Sequence, residues 1–145
     1  MAKDDHDRHF VGQIAQKALI EQNGKLLLVQ YPEDDANAAL LWDLPGGRLH
    51  NGEDAIVGVK REVKEEIDAD IEIEEILATG VNVVSENFKL YWVIYRASLS
   101  MPQQLFTPEA GEIGKVEWRN KVEFFTLPMI YTGYQEALRS ILTSE

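Results

Sequence analysis

Between Asp54 and Ile67 the apolar residues Ile56, Val59, Val63 and Ile67 recur at steps of three and four, which predicts a helix with one apolar stripe, capped by Asn51 or Asp54. The helix runs into "REVKEEIDAD" (61–70), which holds five carboxylates and only Arg61 and Lys64 as basic companions. At about 100° per residue, Glu62, Glu65 and Glu66 fall within an arc of roughly 100° beside the stripe. A sheet that takes the stripe therefore gathers these carboxylates on one side. Near a protein surface two unit charges about 4 Å apart interact by roughly 4 kcal/mol at most. Either the side chains diverge into water, or something positive sits among them. Both are open from the residues alone. Arg61–Glu65 and Lys64–Asp68 have the i,i+4 spacing of ordinary solvated pairs. Hard divalent cations, Mg²⁺ or Mn²⁺, take such oxygen clusters as ligands.

Around this helix the chain alternates strand and turn signals. Residues 13–20 and 25–30 predict a hairpin about Asn23-Gly24, residues 31–39 a loop, and "LLWDLPGG" (40–47) a turn. Residues 76–84, 89–99 and 115–118 predict strands. A closing helix is expected from Pro128, with Ile130, Tyr134, Leu138 and Ile141 inward. This order predicts one α/β domain over 1–145, a sandwich with a mixed sheet, with residues 1–10 as a flexible tail. The chain has no cysteine, no signal-like leader and no apolar run long enough to span a bilayer, so a cytoplasmic location is the default expectation. A net charge of −11 argues against broad electrostatic binding to nucleic acid or anionic membranes. A small anionic substrate would need local cations.

Gly47, five residues, Glu53, seven residues and then Arg61-Glu62-Val63-Lys64-Glu65-Glu66 closely resemble the Nudix box, and "LWDLPGG" resembles the segment that leads into it. The chain departs from the pattern at Asp68 and Ala69, where a glycine and a larger apolar residue are usual. Asp tolerates the left-handed backbone that ends a helix, so Asp68 is expected to act as a terminator. The resemblance implies a Nudix-type α/β/α sandwich that hydrolyses a nucleoside diphosphate linked to another group, with Mg²⁺, or else Mn²⁺, as cofactor. It implies Glu62, Glu65, Glu66 and the Gly46 carbonyl as metal ligands. Glu53 would support the cluster through water or hold Arg61, and Arg61 would orient the helix; an ordinary surface ion pair is the competing role for Arg61. The general base would be Glu62 or a glutamate outside the box. Glu112 is placed for that and Glu109 is the runner-up, although each also reads as a surface glutamate.

Base recognition needs an aromatic face and a few polar groups. Tyr31, Trp42, Phe88, Tyr91 and Trp92 are candidates, and Arg48, Lys17 and Lys89 are candidates for phosphate; Arg48, Trp42 and Phe88 form the substrate-binding set. Tyr91 and Trp92 must face opposite sides of a strand. His6, His9 and His50 are too scattered for zinc. The short chain, without an added dimer-forming domain, favours a nucleoside triphosphate or related small nucleotide. ADP-ribose, another nucleotide sugar or a dinucleoside polyphosphate are the alternatives. The complete set of Glu53, Arg61, Glu62, Glu65 and Glu66 argues against a non-hydrolytic nucleotide sensor, and the missing cysteine against an isoprenoid diphosphate isomerase. The expected partner is a small nucleotide, with no nucleic acid or membrane; homodimers are frequent in such families.

Overall fold

Asn23 and Gly24 both take positive φ, 54° and 76°, and close the two-residue turn between β1 (Gln13–Gln22) and β2 (Lys25–Gln30). They do so in a computed structural model that describes residues 9–144. The remaining strands are β3 (Trp42–Asp43), β4 (Gly46–Arg48), β5 (Ile71–Ser85), β6 (Phe88–Leu99) and β7 (Lys115–Asn120). Their order is β3-β2-β1-β6-β5, with β4 paired to β1 and β7 to β2. Strands β1 and β6 run parallel from Gln13↔Leu90 to Ile20↔Ala97, while the other strand pairs are antiparallel, so the sheet is mixed as expected. No helix among the described residues is long and apolar enough to cross a membrane.

Strand alternation divides the core into two layers. Ala18 and Ile20 of β1 pack with Val63, Ile67, Ala97 and Leu99 beneath α1 (Ala55–Ile67). Ala15 and Leu19 pack with Trp92, Ile94, Leu138 and Leu142 beneath α2 (Gly133–Thr143). The result is the helix–sheet–helix sandwich that the sequence predicts. Asp54 caps α1 by accepting from the amides of Ile56 and Val57, at 3.1 and 3.2 Å. Asp68 ends it in the left-handed region (φ 57°, ψ 37°), its amide donating to the Lys64 carbonyl at 2.9 Å.

Four expectations need adjustment. Ile56 is 38% exposed, and the buried stripe is Gly58, Val59, Val63 and Ile67. Gly58 lets Leu49 and Glu53 pack close: a Cβ would stand 2.5 Å from Leu49 Cδ1 and 2.8 Å from Glu53 Oε1, and both side chains would have to shift. β5 begins at Ile71, five residues earlier than predicted: Ile71 and Ile73 alternate with glutamates on a sheet edge, and the Glu run hid the period of two. "LLWDLPGG" supplies the short strands β3 and β4, not only a turn. The last helix starts at Gly133, not Pro128. The Ile130 amide and the Pro128 carbonyl are engaged with Trp42 at 2.9 Å each, so this segment is extended against β3. Ile130 is 43% exposed, and Tyr134, Gln135, Leu138 and Leu142 form the buried side. Of the predicted tail, residues 1–8 lie outside the described residues, while Phe10 meets Tyr91 edge-on with centroids 6.2 Å apart.

Candidate active site

The two glycines of β4 bring the acidic helix against the sheet. Gly46 has φ 140°, and a Cβ there would lie 2.0 Å from the Gln16 carbonyl oxygen. Its amide donates to Glu66 Oε1 at 3.1 Å. A Cβ on Gly47 would stand 2.2 Å from Glu62 Oε2, so the Glu62 carboxylate rests directly on the Gly47 backbone. Glu62 and Glu66, one helical turn apart, thus form one wall of a cleft of about 860 Å³.

Arg61 faces the other way and organises the outer side. Its Nε donates to Glu53 Oε2 at 2.6 Å and its Nη2 to Glu53 Oε1 at 3.0 Å, a paired fork. Its Nη1 stands 3.0 Å from Glu62 Oε1 and 3.1 Å from Glu65 Oε2, and Nη2 donates to the Arg48 carbonyl at 3.3 Å. The hydrogen bond from Arg61, reinforced by the His50 amide, pushes the Glu53 carboxyl down to about 2. Part of the crowding in "REVKEE" is therefore resolved by Arg61. Glu65 serves that cation, is half exposed and does not line the cleft, and neither do Glu53 and Arg61 themselves.

The opposite wall comes from the segment that closes the C-terminus of α1. Thr107 donates its amide to the Ile67 carbonyl at 3.0 Å, and Glu109 to the Glu66 carbonyl at 2.9 Å, satisfying helix-end acceptors. Ile113, 6% exposed, anchors the segment, and Glu109 and Glu112 both line the cleft. Partial burial, then the charges of Glu112, Glu65 and Glu62, raise the Glu109 pKa above the usual carboxylate range. The floor holds Lys17, Asp43, Tyr31 and Tyr134. Lys17 Nζ donates to Asp43 Oδ2 at 2.9 Å, Tyr31 Oη donates to the same oxygen at 2.5 Å, and the Leu44 amide donates to Asp43 Oδ1 at 2.8 Å.

Five carboxylates line the cleft (Asp43, Glu62, Glu66, Glu109, Glu112) against two cations, Lys17 and Arg48. Burial, opposed by Lys17 and reinforced by Asp43 and Glu62, pushes Glu66 up to about 8. A carboxyl pKa raised by folding makes the folded state bind the extra proton, so stability falls as pH rises from about 4.5 to about 8. In chelator, Glu66→Gln is expected to leave the melting temperature unchanged near pH 4.5 and raise it near pH 8.5, by up to a few kcal/mol of stability. Thermal melts of both proteins across this range check it. Among the described residues no three acidic or histidine side chains already surround one point at ligand distance. The donors nonetheless suit a hard divalent cation: they are oxygens, they face each other across a cleft, and a cation would offset the burial, and then the neighbouring carboxylates, that hold Glu66 high.

Of the remaining candidates, Arg48 and Phe88 line the cleft together, with the guanidinium 4.7 Å from the ring centroid. Trp42 does not: it is 4% exposed within the α2-side core, with Arg119 over its ring at 5.0 Å, so its expected substrate role is corrected to a packing role. Trp92 is also core, Tyr91 faces the opposite side of β6 and Lys89 is not on the cleft wall. His6 lies outside the described residues, and His9 and His50 are not in the cleft. Sequence reasoning missed Asp43, Tyr134 and Asn82 as cleft residues. The first was hidden in a turn motif and the second in a helix's apolar stripe; nothing local marked Asn82.

The NUDIX domain model matches residues 14–140. "Nudix hydrolase 8" of Arabidopsis thaliana is 32% identical over 114 residues, covering 77% of this chain but only 30% of the plant protein. The "CTP pyrophosphohydrolase" of Escherichia coli is 28% identical over 112 residues, covering 77% of this chain and 78% of that protein. The crystal structure of a MutT protein from Methanosarcina mazei Go1 superposes with a TM-score of 0.74 at 22% identity, over 88% of this chain and 91% of that one. A family match over most of the chain, a box whose glycines seat two of its glutamates in a cleft, and a shared sandwich lead to one conclusion: the chain belongs to the Nudix hydrolase family.

Proposed function

We propose that this protein is a divalent-metal-dependent pyrophosphohydrolase acting on a nucleotide, with a nucleoside triphosphate or similarly small nucleotide as its substrate. The observation that carries this is the cleft with five carboxylates and two cations, two of the carboxylates resting on the Gly46-Gly47 backbone. Such a wall repels a bare diphosphate and accepts one accompanied by Mg²⁺ or Mn²⁺. The 28% identity to a CTP pyrophosphohydrolase over most of both lengths supports a triphosphate over a dinucleotide.

In this proposal Glu62 and Glu66, with the Gly46 carbonyl, hold the cations. When bound, a divalent cation neutralises phosphate oxygens and lowers the pKa of a water for in-line attack. Glu112 and Glu109, on the facing wall, accept the proton of the attacking water, and the raised pKa of Glu109 makes it a stronger base than an ordinary carboxylate. Phe88 takes the nucleoside side of the substrate, and Arg48, stacked over its ring, reaches the phosphate side at the rim. Arg61, gripped by Glu53, fixes the rotation of α1 and so the aim of Glu62 and Glu66. Arg61→Lys keeps the charge but loses the fork. It is expected to lower activity and apparent Mg²⁺ affinity by about 10–100-fold with little change in folding, read from metal titrations of the rate.

The test is a panel of nucleoside triphosphates, nucleotide sugars, ADP-ribose and dinucleoside polyphosphates incubated with protein and Mg²⁺ or Mn²⁺, with products identified. Turnover of a triphosphate that stops with chelator supports the proposal. Tight, metal-independent nucleotide binding without turnover of any member contradicts it and favours a sensor.

A further inference from the structure

Lys17 is out of place for its strand. Its neighbours on the same face of β1, Ala15 and Leu19, are core residues, yet a lysine stands between them with its side chain 7% exposed. It is not needed to satisfy Asp43, which already accepts from the Tyr31 hydroxyl and the Leu44 amide. Buried ion pairs are seldom worth more than the apolar pair that could replace them, so stability alone does not explain the arrangement. Asp43 is the hydrogen-bond partner of the ammonium among the described residues, and an ammonium has three donors. Lys17 also lines the cleft, one strand from Gly46, its register partner, and therefore beside the Glu66 wall.

We propose that Lys17 is a substrate-binding residue whose remaining donors take a phosphate oxygen at the cleft floor, with Asp43 and Tyr31 holding the ammonium in place for it. The Asp43 carboxylate, 2.9 Å from Nζ, pairs with the ammonium and fixes its position at the floor. A fixed cation there does what the acidic walls cannot: it attracts the phosphate chain directly and draws it down beside Glu66. Arg48, exposed at the rim over Phe88, is a second and looser contact.

This inference rests on the nucleotide function proposed above, and two variants separate them. Lys17→Met removes the charge at similar length, and Lys17→Met/Asp43→Asn removes both members of the pair, so the floor is neutral again. Binding of a nucleoside triphosphate analogue with methylene bridges is measured by calorimetry in Mg²⁺, alongside the unphosphorylated nucleoside. Thermal melts confirm that the double variant folds. If Lys17 contacts phosphate, both variants bind the analogue about 10–100-fold more weakly, the double variant no better than the single, while nucleoside binding is unchanged. If the double variant recovers analogue affinity to within about twofold of the parent, Lys17 only balances Asp43 and the inference is overturned. If the unmodified protein neither binds the analogue nor hydrolyses any nucleotide, the function itself falls, and the inference with it.

Discussion

Gly46→Ala is expected to lower folding stability by roughly 3–5 kcal/mol, a fall of about 10–20 °C in melting temperature, and to abolish whatever activity survives. Two independent effects add. At φ 140° an L side chain is strained before any contact is considered. The new methyl would also stand 2.0 Å from the Gln16 carbonyl oxygen and 2.9 Å from Lys17 Cα, both backbone atoms that move only if β1 and β4 separate. Separation breaks the Ala15↔Arg48 to Lys17↔Gly46 ladder and withdraws the amide that Glu66 accepts. Gly47→Ala is a useful contrast. Its methyl would meet the end of the Glu62 side chain, which can swing away, so a smaller stability loss is expected together with a displaced Glu62. Thermal melts of both variants check the order. Equal and small losses would mean that β4 is not pinned to β1 as described.

Glu66→Gln is expected to reduce turnover by roughly 10³-fold, about 4 kcal/mol in the barrier, without loss of fold. The size follows from position. Glu66 is held at the centre of the cleft wall by the Gly46 amide, where a carboxylate supplies a full charge to a bound cation and a carboxamide supplies only a dipole. Steady-state rates at saturating Mg²⁺ measure it, with the melting temperature as control. Glu65→Gln is expected to cost far less, because Glu65 is half exposed and paired to Arg61, outside the cleft. Equal losses in the two variants would show that Glu65 moves inward on metal binding. Gaining stability without metal while losing activity is the expected signature of a carboxylate retained for function at a cost to the fold.

What could be read from the chain was what depends on near neighbours. The α1 stripe apart from Ile56, the Asp54 cap as one of two candidates, the left-handed Asp68 terminator and the Asn23-Gly24 turn are each settled within a few residues, and each is found. The glutamate arc was also legible, but not its division. A helical wheel places Glu62, Glu65 and Glu66 together, and only the position of Glu53 and the Arg48 carbonyl decides that Arg61 draws Glu65 outward. Lys17 and Asp43 show the limit most clearly. Their strand parity is readable, yet their burial comes from Tyr31, Tyr134 and the β6 strand, which meet them only after folding. Trp42 misled for a related reason. A two-residue strand has no period to read, so an aromatic in core packing looked the same as one in a binding site.

The central claim is that Glu62 and Glu66 cage divalent cations against the phosphate chain of a nucleotide. A crystal structure with Mg²⁺ and a non-hydrolysable nucleoside triphosphate analogue tests it most directly. The account predicts Mg²⁺ within about 2.0–2.1 Å of oxygens from Glu62, Glu66 and the analogue's phosphates, inside the cleft walled by Glu109 and Glu112. Nucleotide and Mg²⁺ bound elsewhere, with the Glu62 and Glu66 carboxylates contacting only water and Arg61, would contradict it.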